Sequence, residues 1–327
     1  MQKIEMYGEI PYVGKPVSRI FFGTAIAPFL AGEDRDDLLD QVLKSGINGF
    51  DMAQNYQQAE KVIGRWMERR GCRGKLVLLS KCGHPDSSGI KRINEAEIRK
   101  DFAESSSSLQ TDYIDIYLLH RDDPSVPAGT IVEIMNALHA EGKIGAFGGS
   151  NWTHKRVEEA NEYAYAHGLI PFSVSSPNFG LAEQISDLWG GGCVSISGPQ
   201  NTDAREWYIR TQMPVIAYSS LGRGLFSGRV SSLNPKSVTD GMDSYAVKGY
   251  ASPKNLERLR RCEILAAQKG VTVSQLALRW IFNQKINTFA VVGTQNQSRI
   301  RENLESFRID LSQTEAEYLN LEPEEPI

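Results

Sequence analysis

The sequence predicts a single (β/α)8 barrel, in which parallel strands alternate with helices, from two observations. Short apolar runs recur along the 327 residues, and amphipathic stretches of helical period separate them. Three of these runs end on Asp51, Lys81 and His120, residue types that take part in proton transfer. Because the carboxyl ends of all strands in such a barrel meet at one face, these side chains are expected to lie together there.

The first half of the chain supplies an opening hairpin and four strand–helix pairs. The hairpin turns around residues 12–15, and the first helix places Leu38, Leu39 and Val42 inward with aspartates on the solvent side. Strands are predicted at 18–22, 46–51, 76–81 and 113–120, and helices at 34–44, 60–69, 95–109 and 130–141, the last closed by Gly142.

The second half completes the barrel and adds two long connections. Strands are predicted at 144–149, 172–175, 214–218 and 288–292, and helices at 154–168, 203–211, 255–269 and 273–284. The connections 176–201 and 219–252 are rich in Gly, Pro and Ser, and loops of this length on a catalytic face are usually functional. With no linker between elements, we expect one domain over residues 1–327, with long loops over the catalytic face.

Composition and charge narrow the classes of function. A net charge of −4 gives no basic surface for nucleic acid, and no apolar run approaches the ~20 residues of a membrane span. The start of the chain lacks the apolar segment of a signal peptide, and the four cysteines form no metal-binding pattern. We therefore expect a cytoplasmic protein with reduced thiols and no metal.

The strand-end residues are suited to carbonyl chemistry. A buried Lys81 beside Asp51 stays an ammonium, and its charge is expected to lower the pKa of Tyr56 from about 10. A tyrosine placed in this way can protonate a carbonyl oxygen while hydride reaches the carbon, and His120 can align the same oxygen. Alone, each residue has a structural explanation, such as a helix cap or a half-buried core tyrosine. Their joint occurrence at consecutive strand ends favours a catalytic role.

A hydride donor needs a binding site, and the glycine cluster at 222–228 is not the Gly-x-Gly-x-x-Gly of a Rossmann fold. Polar residues at the other strand ends remain as candidates.

Six ordered motifs give the chain its resemblance to a known family. They are Phe-Asp-Met-Ala-Gln-Asn-Tyr at 50–56 with Glu60, Ser-Lys at 80–81, Leu-Leu-His at 118–120, Gly-Ser-Asn-Trp at 149–152, Ala-Tyr-Ser-Ser-Leu-Gly at 217–222 and Arg-Ile-Arg-Glu-Asn at 299–303. With these motifs the chain resembles the aldo-keto reductases along essentially its whole length. The resemblance implies NAD(P)H-dependent reduction of an aldehyde or ketone, with Asp51, Tyr56, Lys81 and His120 as catalytic residues.

The resemblance also implies an extended nicotinamide dinucleotide across the barrel mouth. Ser150 and Asn151 would hold the carboxamide, and Tyr218 would stack on the nicotinamide ring. The further implied positions are Ser219, Leu221 and Gly224 along the diphosphate, Arg299 at the adenosine 2′-phosphate, Glu302 and Asn303 at the adenine, and Gly23, Thr24, Ser176, Gly293 and Thr294 along the rest of the site.

Three positions depart from the family pattern. Ser176 stands where a carboxamide-binding Gln is common, Phe179 replaces a frequent Tyr, and Gly293 replaces a frequent Lys for the 2′-phosphate. Arg299 is thereby left as the main anion partner. Because an arginine can direct two hydrogen bonds at a phosphate, NADPH is favoured, with NADH also possible.

The substrate side of the predicted site is polar. Gln57, His84 and Arg121 are the predicted substrate contacts, and Cys82, Gly83, Asp122 and Asp123 lie next to them in the sequence. Buried polar groups need partners, and a sugar or sugar-derived carbonyl would supply them. The alternative is that residues 121–123 only form a surface turn before Pro124.

Two other functions remain open at this point. The chain could be a regulatory subunit that keeps the barrel and binds nucleotide with little turnover. It could also be a lyase or aldolase with Lys81 as a Schiff-base nucleophile, although an Asp partner would keep that lysine charged and non-nucleophilic.

Overall fold

Eight parallel strands close into a barrel in the computed structural model, which describes residues 5–234 and 236–322. Each strand pairs with the next in the sequence, and the last pairs with the first. The barrel strands are β3 Ile20–Gly23, β4 Gly49–Asp51, β5 Val77–Cys82, β6 Ile114–Leu119, β7 Ile144–Ser150, β8 Val174–Ser176, β9 Val215–Ala217 and β10 Thr288–Val292. The predicted (β/α)8 fold class is confirmed.

Helices surround the barrel and bury their apolar faces against it. Those of the described residues are α1 Ala27–Leu30, α2 Asp36–Lys44, α3 Ala59–Arg70, α4 Glu95–Leu109, α5 Ala128–Ala140, α6 His154–Ala166, α7 Thr202–Thr211, α8 Lys236–Gly241, α9 Ser244–Tyr250, α10 Pro253–Lys269, α11 Val273–Phe282, α12 Gln297–Leu304 and α13 Gln313–Leu319. In α3, Val62, Ile63 and Trp66 are fully buried, and the helix ends at Gly71 in the left-handed conformation that favours glycine.

The predicted hairpin closes the amino-terminal end of the barrel. Its strands β1 (Tyr7–Gly8) and β2 (Val17–Ser18) pair antiparallel, and Ile10 and Val13 join the apolar cluster inside the barrel. This cluster fills the interior with side chains from the strands, so the barrel is a packed core. The opposite, carboxyl-terminal end carries the long loops.

The long connection 219–252 differs from its prediction as a loop, because it contains helices α8 and α9. The side chain of Asp243 accepts a hydrogen bond from the backbone of Ala246 and so begins α9. The connection 176–201 is held to the barrel mouth by β-bridges that join Asn178 to Ser195 and to Tyr218. Helix α2 begins two residues later than predicted and α5 begins two residues earlier. No helix in the described ranges is both long and apolar enough to cross a membrane.

Candidate active site

The carboxyl ends of three neighbouring strands bring the predicted catalytic residues to one face. Asp51 is the last residue of β4, Lys81 lies near the end of β5, and His120 directly follows β6. Tyr56 lies in the turn between β4 and α3, and its ring centroid is 5.7 Å from that of His120. The four side chains therefore meet as the strand pattern predicted.

Lys81 and Asp51 form a buried ion pair. The Nζ atom of Lys81 donates to Oδ1 of Asp51 at 2.6 Å and to the carbonyl oxygen of Met52 at 2.7 Å, and both side chains are over nine-tenths buried. Burial works against the ammonium, but the charge of Asp51 and its hydrogen bond favour it, and the pKa of Lys81 is raised. Lys81 is thus a cation at neutral pH.

Tyr56 lies over this pair, with its ring centroid 5.0 Å from Nζ of Lys81. The prediction that its pKa falls is wrong: burial raises the pKa of Tyr56, and the charge of Lys81 only partly opposes it. The physical reason is that removing a phenolate from water costs more than one shared ammonium returns. Tyr56 is therefore protonated at neutral pH, the state needed to donate a proton.

His120 is neutral and carries an unused polar atom. Burial lowers its pKa well below the usual 6.5, and the charges of Lys81 and Arg121 add to that effect. Its Nδ1 atom is buried and has no hydrogen-bond partner among the described residues. The ring of His84 lies edge-on, with its centroid 4.9 Å from that of His120. A neutral imidazole can align a substrate oxygen without competing with Tyr56 as the acid.

Two buried acidic residues, Glu60 and Asp101, hydrogen-bond to residues close to Lys81 in the sequence. Asp101 was absent from the sequence-based predictions. Glu60 accepts a 2.5 Å hydrogen bond from Oγ of Ser80, next to Lys81. Asp101 accepts from the backbone nitrogen of Gly83 at 2.8 Å and pairs with Arg92. Its only sequence signal is a carboxylate on the inner face of α4.

The predicted carboxamide ligands form one connected group at the ends of β7, β8 and β9. The Asn151 side-chain amide donates to the carbonyl oxygen of His120 at 3.2 Å, which ties this group to the catalytic residues. Its Oδ1 atom accepts from Oη of Tyr218 at 2.6 Å and from the backbone nitrogen of Val194 at 3.1 Å. Oγ of Ser150 donates to the carbonyl oxygen of Ser176 at 3.0 Å.

Gly23 ends β3 and Gly293 directly follows the adjacent strand β10, and a side chain on either would clash. A Cβ atom on Gly23 would lie 2.8 Å from Cγ1 of Val291, and one on Gly293 would lie 3.1 Å from the carbonyl oxygen of Gly23. Thr24 is fully buried, and its hydroxyl donates to the backbone oxygen of Asp51 at 2.9 Å. Thr294, which follows, accepts from the backbone of Asn296. The two glycines therefore present backbone atoms, without side chains, at this edge of the carboxyl-terminal face of the barrel.

The predicted phosphate positions carry a cation that was missed from the sequence. Ser219 has a φ of 52°, and Leu221 precedes a short turn at Gly222–Gly224. A Cβ atom on Gly224 would lie 2.6 Å from Nη2 of Arg229, so this guanidinium lies against the glycine. Arg229 pairs with no carboxylate in the described chain. Its position one residue after the glycine cluster was the available signal.

The predicted adenosine contacts lie together on helix α12, away from the catalytic residues. Arg299 and Glu302 face the surface in part, whereas Asn303 is buried. The guanidinium of Arg299 has no ion-pair partner within residues 5–234 and 236–322.

The predicted substrate residues differ in their surroundings. Gln57 is exposed with a φ of 47°, and His84 is half-buried, with Nδ1 2.8 Å from the carbonyl oxygen of Pro85. Arg121 is buried, with only 7% of its surface exposed. The carboxylates that follow it are engaged in ion pairs: Asp122 pairs with Arg156 at 3.3 Å and Asp123 with Lys91 at 3.2 Å. Arg121 itself takes no part in either ion pair.

The described residues contain no cluster of His, Cys, Asp and Glu side chains able to hold a metal ion. All four cysteines are free thiols.

Comparison with known proteins gives the same family as the site. The family model of the aldo/keto reductases matches residues 19–320. Similar proteins include the aldo-keto reductase ausK of Emericella nidulans, 28% identical over 91% of this chain and 75% of that protein. The aldo-keto reductase YhdN of Bacillus subtilis is 26% identical over 90% of this chain and 86% of its own length. A probable aryl-alcohol dehydrogenase of Saccharomyces cerevisiae, AAD4, is 24% identical over 88% and 87%.

The family match covers the barrel from its first strand to its last helix, and the family's members are oxidoreductases that act on carbonyl compounds and generally use NAD(P)H. By this match, and with an eight-stranded parallel barrel of the expected order, the chain belongs to the aldo/keto reductase family.

Proposed function

We propose that this protein is an NADPH-dependent reductase of aldehydes or ketones, with Tyr56 as the general acid. The observation that carries the proposal is the buried Lys81–Asp51 pair, 2.6 Å apart, beneath a protonated Tyr56 and beside a neutral His120. These groups supply a proton donor, a fixed positive charge and a hydrogen-bonding imidazole around one small space. The proposal includes a single domain over residues 1–327, as the sequence predicts.

In the proposed reaction each residue has a separate task. The Tyr56 phenol hydrogen-bonds to the carbonyl oxygen and transfers its proton as charge develops there. The ammonium of Lys81 stabilises the resulting phenolate, and Asp51 keeps the ammonium charged and in place. The imidazole of His120 gives the carbonyl oxygen a second contact that fixes its orientation.

The residues at the mouth fit a dinucleotide by their donor chemistry. Arg229 lies against Gly224, where the diphosphate is expected, and Arg299 is unpaired among the described residues. Both guanidinium groups can direct paired hydrogen bonds at phosphate oxygens. Ser150, Asn151, Ser176 and Tyr218 would hold the nicotinamide, and their present mutual hydrogen bonds would be exchanged for ones to its carboxamide. When bound, the reduced nicotinamide supplies the hydride.

NADPH is preferred in this proposal because Arg299 is available for the 2′-phosphate. A second cation is lacking, because Gly293 stands where a lysine is frequent in the family. Glu302 and Asn303 would face the adenine. NADH is expected to serve as a weaker donor.

For the substrate we propose a polyhydroxylated, sugar-derived carbonyl compound. Gln57 and His84 offer polar groups beside the catalytic residues, and hydroxyl groups of a sugar would satisfy them. A cytoplasmic location is part of the proposal and is supported by the four free thiols.

The test is to mix the protein with NADPH or NADH and a panel of aldehydes, ketones and aldoses while following the absorbance of the reduced cofactor. Turnover that is faster with NADPH is the expected result. Tight NADPH binding with no turnover of any carbonyl would contradict the proposal and favour a nucleotide-binding regulatory subunit. Borohydride trapping of a substrate on Lys81 without nicotinamide would favour a lyase, which the raised pKa of Lys81 makes unfavourable at neutral pH.

A further inference from the structure

Arg121 is a buried cation that pairs with no carboxylate among residues 5–234 and 236–322. Its side chain is over nine-tenths buried, and its one hydrogen bond within the described residues runs from Nη1 to the carbonyl oxygen of His120 at 2.9 Å. The Nε and Nη2 atoms form the second edge of the guanidinium and donate to no atom of the described protein. Burying a charge without a counter-ion costs folding free energy, and this cost favours a functional role for Arg121.

The carboxylates nearest to Arg121 in the sequence are engaged elsewhere. Asp122 pairs with Arg156 and Asp123 with Lys91. Asp187, in the loop that passes over Arg121, accepts from the backbone nitrogens of Trp189 and Cys193. No ion pair joins any of these three carboxylates to Arg121 within the described residues.

Arg121 is held beside the catalytic residues by packing and a backbone hydrogen bond. The indole nitrogen of Trp152 donates to its backbone oxygen at 3.2 Å. Gly192 covers its methylene groups, since a Cβ atom there would lie 3.7 Å from Cδ of Arg121. Its positive charge acts on Tyr56, where it helps to lower a pKa that burial raises, and on His84. Packing thus fixes the stem of the arginine and leaves one edge of the guanidinium available.

The charges around this position leave a net positive site. Lys81 and Asp51 compensate each other, and Arg92 is paired with Asp101. Burial keeps His120 neutral and lowers the pKa of His84. Among these groups, Arg121 is the charged side chain that forms no ion pair within the described residues.

We propose that Arg121 binds a carboxylate group of the substrate, so that the preferred substrates are oxo acids, including the acid forms of sugar-derived carbonyls. This inference rests on the proposed carbonyl reduction and specifies its substrate class. A carboxylate matches the single positive charge, and its two oxygens match the Nε and Nη2 donors. A phosphate carries nearly two negative charges and would need a second cation beside Arg121.

The first experiment compares two substrates of the same skeleton, 4-oxobutanoate and its neutral amide 4-oxobutanamide. The wild-type protein should prefer the acid in kcat/KM by roughly ten- to a hundredfold, as expected for one paired charged hydrogen bond. In Arg121→Met this preference should vanish, because activity on the acid should fall much further than activity on the amide. Arg121→Lys should keep part of the preference, because the charge remains while the fork is lost. The matched control is Arg210→Met, which removes an exposed arginine far from the site.

A binding measurement separates this inference from the proposed reaction. Calorimetric titration with 4-hydroxybutanoate should show binding to wild type and to Arg210→Met, and a loss of roughly tenfold or more in Arg121→Met. Carboxylate binding without turnover of any carbonyl would contradict the proposed function and support the Arg121 site.

Three results would overturn the inference. Equal losses on the acid and the amide in Arg121→Met would show that the arginine only supports the backbone of His120. No preference for the acid in wild type would remove the carboxylate site. A stronger preference for glyceraldehyde 3-phosphate over glyceraldehyde than for the acid over the amide would assign the site to phosphate.

Discussion

The two ends of the barrel each contain a buried carboxylate that is paired with a lysine. At the closed end, Asp115 forms ion pairs with Lys15 of the hairpin at 3.1 Å and with Arg73 at 2.9 Å. At the open end, Asp51 forms an ion pair with Lys81 at 2.6 Å. The pairs are alike in chemistry and differ in what surrounds them.

The surroundings decide what each pair can do. Asp115 also accepts from the backbone of Leu78, and the apolar residues of the hairpin pack beside it, so its pair joins the hairpin to the strands. The Lys81 pair lies beneath Tyr56, near His120 with its unpartnered nitrogen. A buried ion pair is weak evidence for function by itself, and an adjacent titratable group makes it a candidate site.

The largest expected effect is that of Tyr56→Phe. This change removes the proton donor and keeps the ring, so kcat should fall by roughly 10²–10⁴-fold, the range of general acid catalysis. The dissociation constant of NADPH, measured by fluorescence titration, should change little. Near-normal turnover in this variant would show that another group donates the proton.

Lys81→Met and Lys15→Met break the comparison directly, because each removes the lysine of one pair. Lys81→Met should lower kcat by roughly ten- to a hundredfold, because it removes one charged interaction with the developing phenolate. Single-turnover kinetics should assign the loss to the chemical step. Loss of NADPH binding with an intact chemical step would instead make Lys81 a cofactor ligand.

Lys15→Met should leave kcat unchanged and lower the free energy of unfolding by roughly 1–3 kcal/mol, because Arg73 still pairs with Asp115. Denaturant titration measures this loss. A fall in kcat for Lys15→Met at unchanged stability would mean that the closed end contributes to catalysis.

Arg299→Ala should reduce a preference for NADPH over NADH that we expect to be roughly ten- to a hundredfold. The variant should bind NADPH more weakly and NADH as before. Dissociation constants for both cofactors in both proteins decide the matter. Equal losses for the two would show that Arg299 contacts the adenine or supports α12.

The smallest expected effect is that of pH on the reduction rate. Burial raises the pKa of Tyr56 above 10, so the phenol stays protonated and kcat should be flat through neutral pH, falling only above about pH 10. His120 stays neutral because its pKa lies well below 6.5, so no step is expected near that pH. A titration of kcat between pH 6 and 8 would contradict both assignments.

The barrel and the catalytic group were predictable because both depend on local pattern. Strand ends repeat along the sequence, and neighbouring parallel strands must bring Asp51 and Lys81 together. The helices α8 and α9 were missed because both are short and lie within a long connection that was read as loop.

The remaining features depend on burial and distant partners, which sequence pattern does not contain. The pKa of Tyr56 rises because the folded chain removes the phenol from water, and this outweighs the charge of Lys81. Arg121 pairs with neither of the carboxylates that follow it, because Asp122 and Asp123 pair with Arg156 and Lys91. Neither outcome follows from residue order.

The most direct test of the central claim follows the hydrogen that reaches the carbonyl carbon. NADPH deuterated at the transferable position of the nicotinamide ring is mixed with an aldehyde, and the alcohol is analysed by mass spectrometry in wild type, Tyr56→Phe and Lys15→Met. Carbonyl reduction at the open end predicts one deuterium on the carbinol carbon, formed at similar rates by wild type and Lys15→Met and roughly 10²–10⁴-fold more slowly by Tyr56→Phe. An alcohol without deuterium, or an undiminished rate in Tyr56→Phe, would contradict it.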